Sequence, residues 1–330
     1  MRIAVTGAGG RLGGALVAAF ARGAPLDRVV SVEAWSRPAL DLDRPATLVA
    51  LVHRRRPDLV IHTAAWTDVD ACAREPEAAL RRNGEATAAL ARACGENGTD
   101  LLYLSTNEVF DGRRTDGRPY EEDDSVAPAN PYGRSKRAGE EAVLAIYGQA
   151  RGDDAARGWI VRTAWLYGPP GTDFPAKIVA AAARAATEGT ALRLVADEVG
   201  SPTRAADLAA AIVDLVRARP ASGIYHLVNA GHASRAAWAE TVLREIGLRV
   251  PVERVPAATW QRASTAPLWG VLGTRRAAEL GILLRDWRAA LFDELPRYRE
   301  LAAEAQRGLE AGGAVAGSGR SAEHANGAPR

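Results

Sequence analysis

Short apolar runs and amphipathic stretches alternate along the first half of the chain, and this alternation limits the possible folds more than any other feature. The runs have the length and the flanking turn residues of buried strands, and the stretches between them have helical periodicity. A strand followed by a helix, repeated several times, is typical of a parallel sheet with helices on both faces. The predicted strands are 2–6, 29–35, 58–65, 100–106 and 158–166, and the predicted helices between them are 12–22, 46–55, 77–97 and 133–149.

The regular alternation ends near residue 166, and the pattern that follows predicts a smaller lobe built from separate segments. Its predicted helices are 174–187, 204–218, 235–246 and 286–302, and its predicted short strands are 191–196 and 223–230. A lobe beside a nucleotide-binding sheet usually holds the substrate, so the cleft between the two is the expected site. From about residue 303 large apolar residues become rare, which predicts a flexible tail over 303–330.

The segment "TGAGGRLGG" (6–14) follows the first strand and precedes the first helix. Glycines at 7, 10 and 13 permit a tight turn, a close approach of the backbone to a pyrophosphate, and close packing of the helix on the sheet. The helix N-terminus then offers free N–H groups to the phosphates. The sequence therefore predicts an α/β protein with a Rossmann-type doubly wound parallel sheet and a smaller, discontinuous C-terminal substrate lobe. The predicted nucleotide-binding domain is 1–165 with 204–230 returning to it, and the predicted substrate lobe is 166–203 with 231–302.

The end of the second predicted strand bears on the choice of coenzyme. Many dinucleotide folds have an acid there that binds the adenosine ribose, whereas this chain has Glu33 inside the strand and Ser36-Arg37 after it. Arg37 could pair with a 2′-phosphate, although it could equally be a solvated loop residue. We therefore favour NADP(H) and leave NAD(H) open.

Tyr132 and Lys136 stand four residues apart in a predicted helix, which places both side chains on one face. The chain has only two lysines, Lys136 and Lys177, among 42 basic residues, so a lysine at this position indicates a role that arginine does not fill. A tyrosine is a poor acid near neutral pH, and a neighbouring ammonium lowers its pKa. Thr106 ends the fourth predicted strand, at the edge where parallel sheets bind ligands, and could hold the carbonyl oxygen that Tyr132 protonates.

Composition excludes several other classes of protein. At 330 residues, 47% hydrophobic and 25% charged, the chain has the composition of a soluble globular protein, and no apolar run is long enough to span a membrane. The net charge is only +2 and the arginines are dispersed, which argues against nucleic acid as a partner. The two cysteines and five histidines show no metal-binding spacing, so we predict no metal. We expect a cytoplasmic protein, with a homodimer as one option.

Several motifs agree in order and spacing with one known family. The motifs are "TGAGGRLGG", "HTAAWTDVD", "LSTNEVFDG", "YEEDDSVAPANPYGRSKRAGEE", "VRTAWLYG" and "DEVGSPT". Over about residues 1–300 the chain resembles the extended short-chain dehydrogenase/reductases, and within them the dTDP-4-dehydrorhamnose reductases. The resemblance implies NAD(P)H-dependent reduction of the C4 ketone of a nucleotide-linked 4-keto-6-deoxy sugar, with Thr106, Tyr132 and Lys136 as the catalytic residues.

The turn, the arginine and the resemblance together predict the binding residues. The predicted cofactor contacts are Gly7, Gly10, Arg11, Leu12, Gly13, Arg37, Asp41, Leu42, Ala64, Ala65, Trp66, Tyr132 and Lys136. The predicted contacts to the sugar nucleotide are Thr67, Val69, Thr106, Asn107, Glu108 and Trp165. Asn83 follows "AAWTDVD" and is predicted either to tie its helix to the cofactor loop or to cap a local turn.

Two segments depart from the family pattern and keep alternatives open. The family usually has S-T-D-Y-V-F where this chain has "STNEVF", and the related nucleotide-sugar 4,6-dehydratases have S-T-D-E-V-Y with acidic and basic roles for the Asp and Glu. Glu108 thus indicates a dehydratase, whereas Asn107 lacks the acid that the elimination needs. The segment "APLWGVLGT" (266–274) lacks the family's R-P-x-x-S-x-L-D-like pattern. A non-catalytic alternative is a regulatory subunit like that of methionine adenosyltransferase, which resembles the same reductases.

Overall fold

The computed structural model describes residues 1–22, 31–148, 152 and 155–318. Its strands, in chain order, are β1 Arg2–Thr6, β2 Ser31–Trp35, β3 Leu59–His62, β4 Asp100–Thr106, β5 Gly158–Thr163, β6 Leu166–Tyr167, β7 Leu192–Val195, β8 Val199–Gly200, β9 Thr203–Arg204, β10 Gly223–His226, β11 Ala233–Ser234, β12 Val252–Val255 and β13 Trp269–Gly270. Its α-helices are α1 Arg11–Ala21, α2 Ala46–Arg55, α3 Val69–Arg74, α4 Pro76–Ala79, α5 Ala86–Glu96, α6 Pro131–Tyr147, α7 Phe174–Glu188, α8 Ala205–Ala218, α9 Arg235–Ile246, α10 Arg275–Glu279, α11 Trp287–Phe292 and α12 Leu295–Ser318.

Six parallel strands form the central sheet in the order β10-β5-β4-β3-β1-β2. After β2 the chain passes to the other side of β1 and continues with β3. The connections that leave β1 and β3 therefore diverge and leave a crevice at the carboxyl end of the sheet, where ligands bind in folds of this kind. The predicted Rossmann-type doubly wound sheet is confirmed.

Alternation of side chains along β1 explains why both faces of the sheet are covered. Ile3 and Val5 pack with α1 and α8 on one face, whereas Ala4 packs with α2, α5 and α6 on the other. Successive residues of a strand point to opposite faces, so a strand that is apolar throughout needs two helical layers.

The segment after β5 contributes both to the central sheet with its helices and to separate apolar clusters. β10 pairs with β5 at the edge of the central sheet, and α8 packs with α1. The remaining segments build two further apolar clusters from α7, α9, α11 and the first turns of α12, with small two- and three-stranded sheets. The boundaries of the two lobes, 1–165 with 204–230 and 166–203 with 231–302, stay a prediction.

Two predicted elements differ from the structure. The predicted helix 77–97 is divided into α4, a π-helical turn Leu80–Glu85, and α5. The predicted helix 286–302 is divided into α11 and α12, and α12 continues to Ser318, whereas the flexible tail expected over 303–330 stays a prediction. Ala, Glu, Gln, Leu and Arg favour helix, and Leu301 and Ala302 pack against the apolar cluster of α7 and α9. Residues 319–330 lie outside the described chain.

Candidate active site

The turn between β1 and α1 is too tight for a side chain at two of its glycines, Gly7 and Gly13. Gly7 has a φ of +66°, which side chains with a Cβ rarely adopt. A Cβ on Gly13 would lie 2.2 Å from the carbonyl oxygen of Gly7, so the first turn of α1 presses directly on the loop. The turn thus keeps its backbone bare at the sheet crevice, as a phosphate cradle requires.

A cavity of about 660 Å³ extends from this turn along the ends of β2 and β3. The predicted cofactor residues that line it are Gly7, Gly10, Arg11, Leu12, Gly13, Arg37, Leu42, Ala64, Ala65 and Trp66. Asp41 lines neither this cavity nor the catalytic one described below. Its carboxylate instead lies 3.7 Å from the Arg37 guanidinium and 3.6 Å from that of Arg44.

Arg82 is a cavity residue that the sequence did not reveal. Its guanidinium lies 4.5 Å from the centroid of the Trp66 ring and donates to the Asp43 carboxylate at 2.6 Å. It therefore borders the same cavity as Arg37. An arginine in an arginine-rich helical stretch carries no sequence signal that would have distinguished it.

A second cavity, of about 240 Å³, holds every predicted catalytic and substrate residue, and we call it the catalytic cavity. These residues are Thr67, Val69, Thr106, Asn107, Glu108, Tyr132, Lys136 and Trp165. Five residues line both cavities, namely Thr63, Ala65, Thr67, Leu104 and Leu166. The two cavities are therefore parts of one cleft, with the tyrosine and the lysine beside the space that begins at the glycine turn.

The start of α6 is fixed against the end of β4, which brings Tyr132 to Thr106. Asn130 caps α6 by accepting from the Gly133 N–H at 2.8 Å, and it also donates from Nδ2 to Glu108 Oε2 at 2.6 Å. A Cβ on Gly133 would lie only 2.0 Å from the Glu108 carbonyl oxygen. The first turn of α6 and the turn that follows β4 therefore approach at a distance that only glycine allows.

Gly133→Ala tests this approach. The added methyl must push the first turn of α6 away from Glu108, so we expect a loss of about 1–3 kcal/mol in the free energy of unfolding. Displacing Tyr132 should also lower kcat/KM by roughly tenfold to a hundredfold. Denaturant unfolding and steady-state kinetics measure both effects. Gly308→Ala is the matched control, because it lies on an exposed part of α12 with nothing within 4 Å of the new Cβ. Its free energy of unfolding and its kcat/KM should both stay at the wild-type values. Equal behaviour of the two variants would contradict the proposed contact.

Burial controls the protonation of Tyr132 and Lys136. The pKa of Lys136 falls to about 7 because burial penalises the ammonium, against a smaller opposing effect of Glu140. The pKa of Tyr132 is raised by burial and by the charge of Glu108, against a hydrogen bond with Thr106 that lowers it. The expectation that Lys136 lowers the pKa of Tyr132 was therefore wrong for this state of the protein. The Lys136 ammonium instead lies over the Tyr103 ring, 4.2 Å from its centroid.

Asn107 and Glu108, the two residues that depart from the family pattern, are each held by a hydrogen bond. Asn107 donates from Nδ2 to the Gly270 carbonyl at 3.2 Å, which ties the end of β4 to β13. Glu108 is held by Asn130, and burial raises its pKa.

Trp165 and Arg235 form one wall of the catalytic cavity. Trp165 has a φ of +44°, and its indole lies so close to Gly200 that a Cβ there would be 2.5 Å from the ring. The Arg235 guanidinium stacks on this indole at 3.6 Å from the ring centroid. Sequence reasoning missed Arg235, because one arginine at the start of a predicted helix has no distinguishing pattern.

Asn83 links the cofactor side of the cleft to the helix that carries Tyr132 and Lys136. Its Oδ1 accepts from the Trp66 N–H at 2.7 Å, and its Nδ2 donates to the Trp66 carbonyl at 2.9 Å and to Ser135 Oγ at 3.0 Å. The interpretation that Asn83 ties its helix to the cofactor loop is confirmed. The π-helical turn around it widens the helix at this point, as such turns often do at functional sites.

The described residues contain neither a metal-binding cluster nor a membrane-spanning helix. No group of three or more His, Cys, Asp or Glu side chains there could hold a metal ion. No helix in that part of the chain is long and apolar enough to cross a membrane.

Comparisons with known proteins agree on one family. A family model described as the RmlD substrate binding domain matches residues 1–300. A Streptomyces griseus protein named dTDP-4-dehydrorhamnose reductase is 39% identical over 298 residues, which are 88% of this chain and 92% of that protein. A Mycobacterium tuberculosis protein of the same name is 37% identical over 295 residues, 88% of this chain and 91% of that protein. The crystal structure of the Bacillus anthracis dTDP-4-dehydrorhamnose reductase in complex with NADP superposes with a TM-score of 0.76 at 29% identity, covering 90% of this chain and 98% of that one.

Proposed function

The chain belongs to the family described as the RmlD substrate binding domain, and on that premise we propose that it reduces the C4 ketone of a nucleotide-linked 4-keto-6-deoxy sugar with NAD(P)H. The observation that carries the proposal is the position of Thr106, Tyr132 and Lys136 together in the catalytic cavity, which is continuous with the cavity of the glycine turn. The substrate class is that of the relatives named dTDP-4-dehydrorhamnose reductase.

The residues present fit a dinucleotide cofactor. The first turn of α1 and the Gly7–Gly13 contact leave a bare backbone cradle for a pyrophosphate, and Lys136 in the adjoining cavity would hold the nicotinamide ribose. Arg37, with Arg82 on the same cavity, supports NADP(H) as the favoured coenzyme, and the NADP complex of the Bacillus anthracis relative is consistent with it. NAD(H) remains the alternative. When bound, the reduced coenzyme supplies the hydride.

Tyr132 acts as the general acid in this proposal. Its phenol donates a proton to the C4 oxygen as negative charge develops there, and Thr106 donates a second hydrogen bond to the same oxygen. Because burial raises the pKa of Tyr132, the phenol is fully protonated at neutral pH and available as a donor. Lys136 lines the same cavity and would act through the coenzyme, because its ammonium can donate hydrogen bonds to the hydroxyls of the nicotinamide ribose.

Two features of the site favour the reductase over the dehydratase and over the non-catalytic subunit. Asn107 lies at the end of β4 with its amide bound to the Gly270 carbonyl, so it supplies no carboxylic acid to an elimination. The intact tyrosine, lysine and threonine set favours catalysis over a role in binding alone. The cytoplasmic location and the homodimer stay predictions.

A substrate-panel assay tests the proposed function. We expect NADPH oxidation, followed at its absorbance, with 4-keto-6-deoxy sugars linked to dTDP, and slower oxidation of NADH. In a parallel reaction, dTDP-glucose without added reductant should yield no 4-keto product. Accumulation of that product would instead indicate the dehydratase. No turnover with any 4-keto sugar nucleotide and either coenzyme would overturn the proposal in favour of a binding role.

The lowered pKa of Lys136 predicts how the reaction depends on pH. The ammonium is present below its pKa of about 7 and is lost as the pH rises above it, so kcat/KM should fall above about pH 7. Tyr132 does not contribute to this fall, because its raised pKa keeps the phenol protonated. The measurement is kcat/KM between pH 6 and 9. Lys136→Arg should be slower but without this inflection, because a guanidinium stays charged. The same inflection in both proteins would exclude Lys136 as its origin.

A further inference from the structure

Tyr103 of β4 lies against Lys136, and none of the proton or hydride steps described above uses it. The Lys136 ammonium is 4.2 Å from the centroid of the Tyr103 ring, and both side chains are buried. Lys136 lines the catalytic cavity, whereas Tyr103 lines neither that cavity nor the one at the glycine turn. The tyrosine ring can therefore affect the reaction through the lysine.

The Tyr103 ring is held both by the sheet and by α6. Its hydroxyl donates to the Lys136 carbonyl oxygen at 3.2 Å. A Cβ on Gly139 would lie only 2.4 Å from this hydroxyl oxygen, so the ring is wedged against the helix. On the sheet side, Tyr103 pairs in register with His62 of β3, and the two rings stack with centroids 5.8 Å apart. These contacts fix the plane of the ring.

A fixed aromatic ring decides where a lysine ammonium lies. The ammonium is a compact charge on a flexible four-carbon stem, so its position depends on what it contacts. The face of an aromatic ring carries negative charge density, which attracts a cation, and the attraction is stronger where water is excluded. Lys136 is buried, so the ring face replaces part of the hydration that its ammonium loses.

Other titratable groups act on Lys136 from several elements. Burial lowers the pKa of Lys136 to about 7, and Glu140, one turn further along α6, opposes this shift. The Glu140 carboxylate is itself bound by Arg162 of β5 at 2.8 Å. His62 adds no cation at neutral pH, because burial and the charge of Lys136 lower its pKa to about 3. The charged or titratable residues that line the cavity with Lys136 are Glu108, Tyr132 and Arg235.

We propose that Tyr103 is the positioning residue of Lys136, and that the face of its ring holds the lysine as an ammonium at the wall of the catalytic cavity. This inference rests on the proposed function, in which the ammonium binds the nicotinamide ribose. The role belongs to the ring and not to the hydroxyl, because the ammonium contacts the ring face whereas the hydroxyl contacts the backbone of α6.

The composition of the chain permits a direct test without turnover. Lys136 and Lys177 are its only lysines, so protein labelled with carbon-13 at the lysine side chains gives two signals, which Lys177→Arg assigns. We expect Lys136 to titrate at about pH 7 in the wild type and within about 0.3 pH unit of that value in Tyr103→Phe, which keeps the ring. Replacing Tyr103 by pentafluorophenylalanine reverses the charge distribution of the ring with little change in shape. The Lys136 midpoint should then fall by about one pH unit or more.

Tyr147 provides the matched control. It belongs to the same apolar cluster as Tyr103 and lies on α6, about 16 Å along the helix axis from Lys136. Pentafluorophenylalanine at position 147 should leave the Lys136 midpoint at the wild-type value, and thermal unfolding checks that each variant is folded.

Three results would overturn the role of the ring. They are equal Lys136 midpoints with phenylalanine and with pentafluorophenylalanine at position 103, a fall in Tyr103→Phe as large as that with the fluorinated ring, and an equal fall with the fluorinated ring at position 147. In turnover, the inflection of kcat/KM should move with the Lys136 midpoint. The titration needs neither coenzyme nor substrate, so the expected midpoints without any turnover would count against the proposed function only.

Discussion

Tyr132→Phe is expected to lower kcat about 10²- to 10⁴-fold while it leaves NADPH affinity within twofold of the wild-type value. The substitution removes one hydroxyl, and with it the proton that the proposed mechanism delivers to the C4 oxygen. The ring remains, so the packing at the start of α6 is preserved. Steady-state kinetics and fluorescence titration with NADPH measure the two quantities.

Tyr225→Phe is the matched control for this prediction. It also removes a phenolic hydroxyl, which there donates to the Ala221 carbonyl at 2.9 Å, at the edge strand β10. We expect its kcat to stay close to the wild-type value. A Tyr132→Phe protein that turns over as fast as the Tyr225→Phe protein would remove Tyr132 from the mechanism.

Glu140→Ala is expected to lower the free energy of unfolding by about 3–5 kcal/mol, because it leaves a buried arginine without its partner. Glu140 accepts two hydrogen bonds from Arg162 at 2.8 Å and one from Ser105 at 2.6 Å. Glu140 and Arg162 are almost completely buried, at 0% and 1% exposure, beneath the catalytic residues at the end of β4. Denaturant unfolding monitored by tryptophan fluorescence measures the loss.

The neighbouring residue provides the control. Glu141 pairs with Arg137 at 3.0 Å, but its side chain is 61% exposed, so Glu141→Ala should change the free energy of unfolding by no more than about 0.5 kcal/mol. If the two alanine variants had equal stability, the buried pair would contribute no more than an exposed one.

The errors of sequence reasoning come from contacts between distant segments. The periodicity of 77–97 predicts one helix, yet Asn83 bonds both to Trp66 and to Ser135, and the helix widens into a π-turn there. The spacing of Tyr132 and Lys136 correctly placed them on one face. It could not show that the lysine lies over the Tyr103 ring or that burial raises the pKa of Tyr132.

Local pattern alone determined the doubly wound sheet, the glycine turn and the tyrosine–lysine face, because each depends on periodicity or on neighbours within a few residues. Only the tertiary structure decided which charges meet in the catalytic cavity. Arg235 comes from α9 and Trp165 from the end of β5, 70 positions apart in the printed numbering, and they stack there. Burial and Coulomb forces act through space, so the lowered pKa values of Lys136 and Arg235 follow from packing that no local spacing encodes.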